Sequence, residues 1–362
     1  MKPVVVVTGT RPEIIKMAPI LRSLKATGLP HIFVHCGQHY DYSMSQQFIE
    51  NLELPAPDHW LKIEAASPGA QTAEIMMKMD ELLAKVEASI VLVEGDTNTV
   101  LAGALAANKR VVPIGHVEAG LRSFDLRMPE EHNRRLTDHI SQYLFAPTER
   151  AKVNLEKENV WGKTYLTGNT AIDAVNQHFP IAEKKSEILK QVPFGEFVLS
   201  TAHRAENVDD PAVLDSFITV FEKSPLPIVY PMHPRTRKRL EENSKLAAVE
   251  KMRNVLVLPP LGYLDFLILE QKCKLIITDS GGVQEEATAP AIRKQVLVIR
   301  LSTERQEAVE AGFAEVVGTD KNRILTAMNE AITEKKALPH ISPFGDGHAA
   351  QRIVEIIKKN FA

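Results

Sequence analysis

Carboxylates and guanidiniums crowd one stretch of this chain, Gly115-His116-Val117-Glu118-Ala119-Gly120-Leu121-Arg122 followed by Pro129-Glu130-Glu131-His132-Asn133-Arg134-Arg135. The apolar run 111–114 ahead of it reads as a short buried strand. That puts Glu118 and Arg122 in the loop beyond the strand's carboxyl end, where open α/β sheets do their chemistry. A solvated ion-pair network is the competing reading. Glu94-Gly95-Asp96-Thr97 follows a second apolar run, 90–93, so Asp96 is expected at the same rim as Glu118 and Glu130. Three acids on one rim suit divided proton-transfer roles, their pKa values pushed apart by their surroundings. A hard cation held among them is the alternative, although no His or Cys stands at ligand spacing around them.

Two strand-to-helix turns suit anions. Thr8-Gly9-Thr10-Arg11-Pro12-Glu13 opens a helix whose free N–H groups and dipole favour negative charge, with Arg11 and Lys16 beside it. It is neither a dinucleotide fingerprint nor a Walker loop, and a plain tight turn is the alternative. Thr278-Asp279-Ser280-Gly281-Gly282-Val283-Gln284-Glu285-Glu286 carries two adjacent glycines that would let a diphosphate approach the backbone. Glu285 or Glu286 would then accept from vicinal ribose hydroxyls; a structural turn is the bland reading. His203-Arg204, His233 and Arg305 also follow apolar runs and are candidates for facing the acids or an anion.

The elements that must position these residues alternate in βαβ fashion. Strands are expected at 4–7, 32–34, 90–93, 111–114 and 143–145, with helices at 13–26, 71–87, 97–108, 131–142 and 149–158. The pattern restarts with strands at 197–200, 228–230, 255–258, 275–278, 296–299 and 315–317, and the two halves open alike, from a strand through small polar residues to a cation. The expectation is an N-terminal Rossmann-like domain over 1–169 with the acid–base residues and a C-terminal one over 170–346 with the anion site. The Lys-rich stretch 182–192 belongs to the join, and a terminal helix in 347–362 crosses back to the first domain.

Length and composition agree with this reading. A chain of 362 residues exceeds what one core usually organises. A formal net charge of −3 argues against nucleic acid held by counterion release, so an anionic ligand must be met by local cations. The two cysteines, Cys36 and Cys273, are isolated and read as buried thiols. No apolar run approaches membrane-spanning length and the opening valines are too few for a signal peptide, so a cytoplasmic protein without membrane contact is expected.

In combination these motifs resemble those of the non-hydrolysing UDP-N-acetylglucosamine 2-epimerases, and the resemblance runs essentially end to end. It rests on Gly9-Thr10-Arg11-Pro12-Glu13-Ile14-Ile15-Lys16, Gly95-Asp96-Thr97, the stretches 115–122 and 129–134, Thr167-Gly168-Asn169-Thr170, His203-Arg204, 279–286, Thr303-Glu304-Arg305 and Pro343-Phe344-Gly345-Asp346-Gly347. It implies two Rossmann-like domains facing across a cleft, the glycosyltransferase-B-like α/β class. It also implies a homodimer, a UDP-sugar substrate, no cofactor and no metal. The reaction implied is C2 epimerisation of UDP-N-acetylglucosamine to UDP-N-acetylmannosamine, by loss and re-addition of UDP.

The resemblance carries catalysis onto Asp96, Glu118, Glu130 and His203. It carries UDP-sugar binding onto Arg11, Lys16, Arg134, Phe266 near the uracil, Ser280, Gly281, Gly282, Glu286 and Arg305. Gln38 and His39 resemble part of a regulatory UDP-N-acetylglucosamine site. Two departures touch the nucleotide region: 288–295 is longer than the family's pattern, and Arg300-Leu301-Ser302 replaces an Arg-Asp-Thr-like run. Related readings are a hydrolysing epimerase, a 2-epimerase of a diacetamido uronic acid, or a UDP-sugar glycosyltransferase of the same architecture.

Overall fold

The computed structural model describes residues 2–38, 42–334 and 337–361. The chain divides into two compact units, one formed by Met1–Ala174 with Phe344–Ala362 and the other by Val175–Pro343. These divisions fall a few residues from the expected 169 and 346. The first lies inside a helix, Thr170–Lys185, that runs from one unit into the next. A single 3₁₀ turn, Ile188–Gln191, follows, so the Lys-rich join is helical.

The first unit holds seven parallel strands: β1 (Val4–Thr8), β2 (His31–Gln38), β3 (His59–Ile63), β4 (Ile90–Glu94), β5 (Ile114–Val117), β6 (Tyr143–Ala146) and β7 (Lys163–Leu166). Their spatial order is β3-β2-β1-β4-β5-β6-β7. The chain thus moves outward from β1 to β3, then returns to lay β4 against the other side of β1. Loops leaving β1 and β4 part in opposite directions, which opens a crevice at the strands' carboxyl ends. Every residue of β1 and β4 is buried, as β-branched strands covered on both faces should be.

The edge strands β3 and β7 were absent from the expected set. Their sequences, His-Trp-Leu-Lys-Ile and Lys-Thr-Tyr-Leu, are polar and half exposed, so no apolar run marks them. The strand expected at 111–114 is displaced to Ile114–Val117 for a clear reason. Residues 110–112 cap the helix Asn98–Lys109: the Val111 N–H donates to Asn108 O and the Val112 N–H to Ala107 O, with Val111 at φ 57° and exposed. Pro113 then offers no N–H to a ladder. Glu118 is consequently the first residue after the strand.

The second unit repeats the plan with six parallel strands: β8 (Val198–Thr201), β9 (Ile228–Pro231), β10 (Val255–Leu258), β11 (Leu275–Thr278), β12 (Val296–Val298) and β13 (Ala314–Val316). The order β10-β9-β8-β11-β12-β13 reverses between β8 and β11 as the first sheet does between β1 and β4. Val198, Leu275 and Leu297 pack there with Phe217, Phe221 and Met328 of the covering helices.

The terminal helix Ala349–Phe361 belongs to the first unit, burying Ile353, Val354 and Ile357. Its opening amides are capped at long range by Asp173, which accepts from the Ala349 N–H at 3.2 Å and the Ala350 N–H at 2.9 Å. Replacing this carboxylate with a methyl group leaves two buried donors unmet. Asp173→Ala should therefore cost about 1–2 kcal/mol, the scale of a lost cap, and raise amide exchange selectively across 349–361. Unchanged exchange there, read by mass spectrometry, would show that packing alone holds the helix.

Candidate functional site

At the turn after β1 the chain itself takes up one free N–H group, that of Gly9, while Gly9, Thr10 and Arg11 still line a cavity. Glu13, in the first turn of the helix Arg11–Ala26, accepts from the Gly9 N–H at 2.7 Å and from the Thr10 hydroxyl at 2.8 Å. The Thr97 hydroxyl, from the turn after β4, donates to the same carboxyl at 2.8 Å. Glu13 thus ties the two loops of the switch point together. Burial pushes its carboxyl up to about 7, an effect the three donors only partly offset. The Thr-x-x-Glu spacing of a capping box was its signal in the sequence. Arg11 is exposed and its guanidinium lies 5.6 Å from the Phe48 ring centre.

Asp96 and Glu118 are each held by a cation. Arg134 donates to Asp96 through Nε at 3.1 Å and through Nη2, and through Nη1 to the fully buried Glu131 at 2.8 Å. Asn133 donates to the Asp96 carbonyl at 2.9 Å. Lys16 ion-pairs with Glu118 and lies 3.4 Å from Glu94, with the Asn169 amide 3.4 Å from the same Glu118 oxygen. Glu118 itself sits in the left-handed region at φ 68°, a conformation that costs a non-glycine residue on the order of 1 kcal/mol or more. Glu130 stands, exposed, on the first turn of the helix Pro129–Ile140.

Arg122 does not join this set. Its Nη2 pairs with Asp138 at 2.8 Å and with Glu158 at 2.6 Å, wholly buried. Asp138 also accepts from the Gly120 N–H at 3.2 Å and faces His116 Nδ1 at 2.7 Å, while His116 Nε2 donates to the Gly95 carbonyl at 2.8 Å. Burial alone would raise Asp138; His116 and Arg122 more than reverse that and hold it below the usual range. This network fixes the backbone on either side of Asp96 and Glu118.

In the second unit the switch point joins His203 to Asp279. The buried Asp279 carboxylate accepts from the His203 N–H and the Arg204 N–H, both at 2.8 Å, and from the Asn207 amide at 3.0 Å; its other oxygen lies 3.1 Å from His203 Nδ1. His203 is thereby oriented with its side chain partly exposed, and His233 lies beside it at 5.3 Å between ring centres. Nothing in the sequence paired residues 76 positions apart.

Ser280 caps the short helix Gly281–Glu286, and Arg305 lies directly against its start. A Cβ built on Gly281 would stand 3.2 Å from the Arg305 guanidinium carbon and 3.3 Å from Glu304 Oε1. Gly282 has open space by comparison. Arg305 Nε donates to the fully buried Glu285 at 2.6 Å, so Glu285 is a partner of Arg305. Glu304 is raised by burial, but Arg305, Arg300 and Arg204 outweigh that and bring it down to about 2. Arg300 is buried in this cluster, donating to Glu304 at 2.8 Å, although the sequence marked it only as a departure.

Glu286 is half buried, and Phe266 is half buried on the first turn of the helix Tyr263–Lys272. Gln38 ends β2, with its side chain not described, and His39 lies outside the described residues. Among the described residues no three His, Cys, Asp or Glu side chains are grouped as a metal ion would require, and no helix is long and apolar enough to cross a membrane.

The chain matches the family profile for UDP-N-acetylglucosamine 2-epimerase over residues 22–358. It is 42% identical to a UDP-N-acetylglucosamine 2-epimerase of Methanocaldococcus jannaschii, the alignment covering 97% of this chain and 98% of the relative. A crystal structure of a Methanocaldococcus jannaschii UDP-GlcNAc 2-epimerase in complex with UDP-GlcNAc and UDP superposes with a TM-score of 0.90, covering 99% of this chain and 100% of that one. A UDP-2,3-diacetamido-2,3-dideoxy-D-glucuronate 2-epimerase of Pseudomonas aeruginosa is 37% identical, with 98% and 99% covered.

Two outcomes follow from this geometry. Because the folded pKa of Glu13 lies above its unfolded value of 4.5, the native state binds that proton more tightly. Its stabilising contribution is complete below pH 4.5 and is lost as pH rises through about 7, at most a few kcal/mol at about 1.4 kcal/mol per unit. The carboxyl ¹³C resonance that disappears in Glu13→Gln should titrate near 7; a midpoint between 4 and 5 would refute the burial argument. Arg305→Ala, by taking the guanidinium away from the buried Glu285, should cost about 3 kcal/mol or more of stability. A thermal melt identical to wild type would contradict this.

Proposed function

The chain belongs to the UDP-N-acetylglucosamine 2-epimerase family, and on that premise we propose that it inverts C2 of UDP-N-acetylglucosamine by eliminating and re-adding UDP. The chemistry demands this route. The C2 proton has no adjacent carbonyl, so a carboxylate cannot remove it directly near neutral pH. As the C1–O bond breaks, its electron pair leaves with UDP, and the positive charge developing at C1 acidifies C2–H. A carboxylate takes the proton and the C1–C2 double bond forms, leaving 2-acetamidoglucal and UDP. Re-addition of a UDP oxygen to C1, with a proton delivered to C2 from the opposite face, gives UDP-N-acetylmannosamine. Acid–base groups are needed on both faces.

The observation that carries this reading is that the acids in the family's motifs, Asp96 and Glu118, stand directly after β4 and β5, each fixed by a buried cation. We assign Asp96, Glu118 and Glu130 to proton transfer, and Arg134 and Lys16, which hold Asp96 and Glu118, to binding the UDP-sugar as well. His203, oriented by Asp279, is assigned a catalytic role at the departing diphosphate. Ser280, Gly281, Gly282 and Arg305 are assigned to the diphosphate, where cations stabilise the charge that develops on UDP. Glu286 is assigned to the ribose, Phe266 to the uracil and Arg11 to the UDP-sugar. The 37% identical diacetamido-glucuronate relative supports a second reading, in which the sugar carries further substituents. We further propose a cytoplasmic homodimer in which Gln38 and His39 take part in regulation, its assembly to be read by light scattering.

Incubation with UDP-N-acetylglucosamine in deuterated water, without added NAD or metal, should yield UDP-N-acetylmannosamine bearing deuterium at C2. Product with the original proton would overturn the elimination route, and turnover of only the diacetamido-uronic substrate would select the second reading. Asp96→Asn, Glu118→Gln and Glu130→Gln should each lower kcat by about a hundredfold or more while UDP still binds. Near-normal turnover in any one of them makes that residue structural.

A further inference from the structure

Glu270, on the helix Tyr263–Lys272, is fully buried, and neither of its side-chain oxygens makes a hydrogen bond of regular geometry. The carboxyl of Glu286 lies beside it, as do the Tyr263 hydroxyl and the Cys273 thiol. Tyr263, two turns earlier on the same helix, places a buried hydroxyl near both Glu286 and Glu270 without a hydrogen bond of regular geometry, its ring set edge-on against the buried His178 at 5.6 Å between centres. A second acid therefore lies beneath the one assigned to the ribose.

Two carboxyl groups in one buried site do not both ionise, and the pair shares a proton. Desolvation penalises the charge more at the fully buried member than at the half-buried one, so the proton resides on Glu270. Its carboxyl is accordingly held well above the ordinary value, first by burial and then by Glu286. A neutral carboxylic acid has one O–H to donate, and the acceptor opposite is Glu286.

We propose that Glu270 is a positioning residue which, as a buried neutral acid, donates to Glu286 and fixes that carboxylate to accept from both ribose hydroxyls of a uridine diphosphate. Glu286 stays anionic and oriented, and the protein distinguishes ribose from 2′-deoxyribose. This rests on the assignment of Glu286 to the ribose and extends it to what makes that residue selective.

Calorimetric titration of the full-length protein with UDP and with 2′-deoxy-UDP tests it. Wild type should prefer UDP. Glu270→Gln keeps a donor and should keep that preference within about twofold, whereas Glu270→Leu should reduce it by about tenfold, the scale of one hydrogen bond. An unchanged preference in Glu270→Leu, or a loss of preference in Glu270→Gln, overturns the proposal. Glu286→Gln separates the two levels: if it leaves the preference intact, the ribose assignment itself falls. If it abolishes the preference and Glu270→Leu does not, only the role of Glu270 falls. Should Glu270→Leu fail to fold, the infrared difference between wild type and Glu270→Gln at pH 8 decides. A protonated-carboxyl C=O stretch present only in wild type supports the proposal, and its absence from wild type overturns it.

Discussion

A carboxylate taken out of water must be met by donors or cations, and that demand organises both units. Glu13 closes the first switch point by accepting from the turns after β1 and β4 together. Asp279 closes the second by accepting from the turn after β8 while itself following β11. The reversal of strand order would otherwise leave a crevice with divergent loops; in each unit one buried acid laces those loops together. The backbone around the assigned catalytic residues is thus held by groups that need touch no substrate.

The same demand explains where strain is tolerated. Glu118 adopts a left-handed backbone directly ahead of two anchored residues: the Ala119 N–H donates to Phe145 O, and the Gly120 N–H to Asp138. The buried chain from Gly95 through His116, Asp138 and Arg122 to Glu158 spans the ends of β4 and β5 and the helix Pro129–Ile140. Removing Arg122 would take a buried cation from Asp138, leaving it to His116 and the Gly120 N–H. The stretch Gly115 to Arg122 is therefore part frame and part site, and residue type alone does not divide it.

The βαβ alternation and both strand-end clusters were legible in the sequence because fully buried parallel strands are β-branched runs followed by polar turns. Edge strands β3 and β7 were not, since a strand with one exposed side carries Lys, Thr and His at ladder positions. The run 111–114 misled because three of its residues serve a helix cap and a proline, while Gly115 and His116, poor strand formers by type, complete β5. Candidate side chains were found by motif, but their partners were not. Lys16 meets Glu118 across 102 residues, and Arg134 meets Asp96 across 38. Such pairings are set by sheet order, which one sequence does not state.

The charge balance of the proposed anion site shows why partner identity matters. Arg305 and Glu304 lie against the glycine turn, Arg204 and Arg300 pair with Glu304, and Glu285 and Glu304 are buried among these cations. Acids beside the proposed diphosphate site look counterproductive until the cost of loose cations is weighed. A mobile guanidinium must lose rotamer freedom when the ligand arrives, on the order of 1 kcal/mol for each such side chain. A guanidinium clamped by a carboxylate has lost it already, and its planar fork of five donors is not used up by one such partner. Two acids thus convert three arginines from a diffuse field into fixed donors, at the price of part of their charge. An overall negative chain can then hold an anionic ligand through local order, without a basic surface.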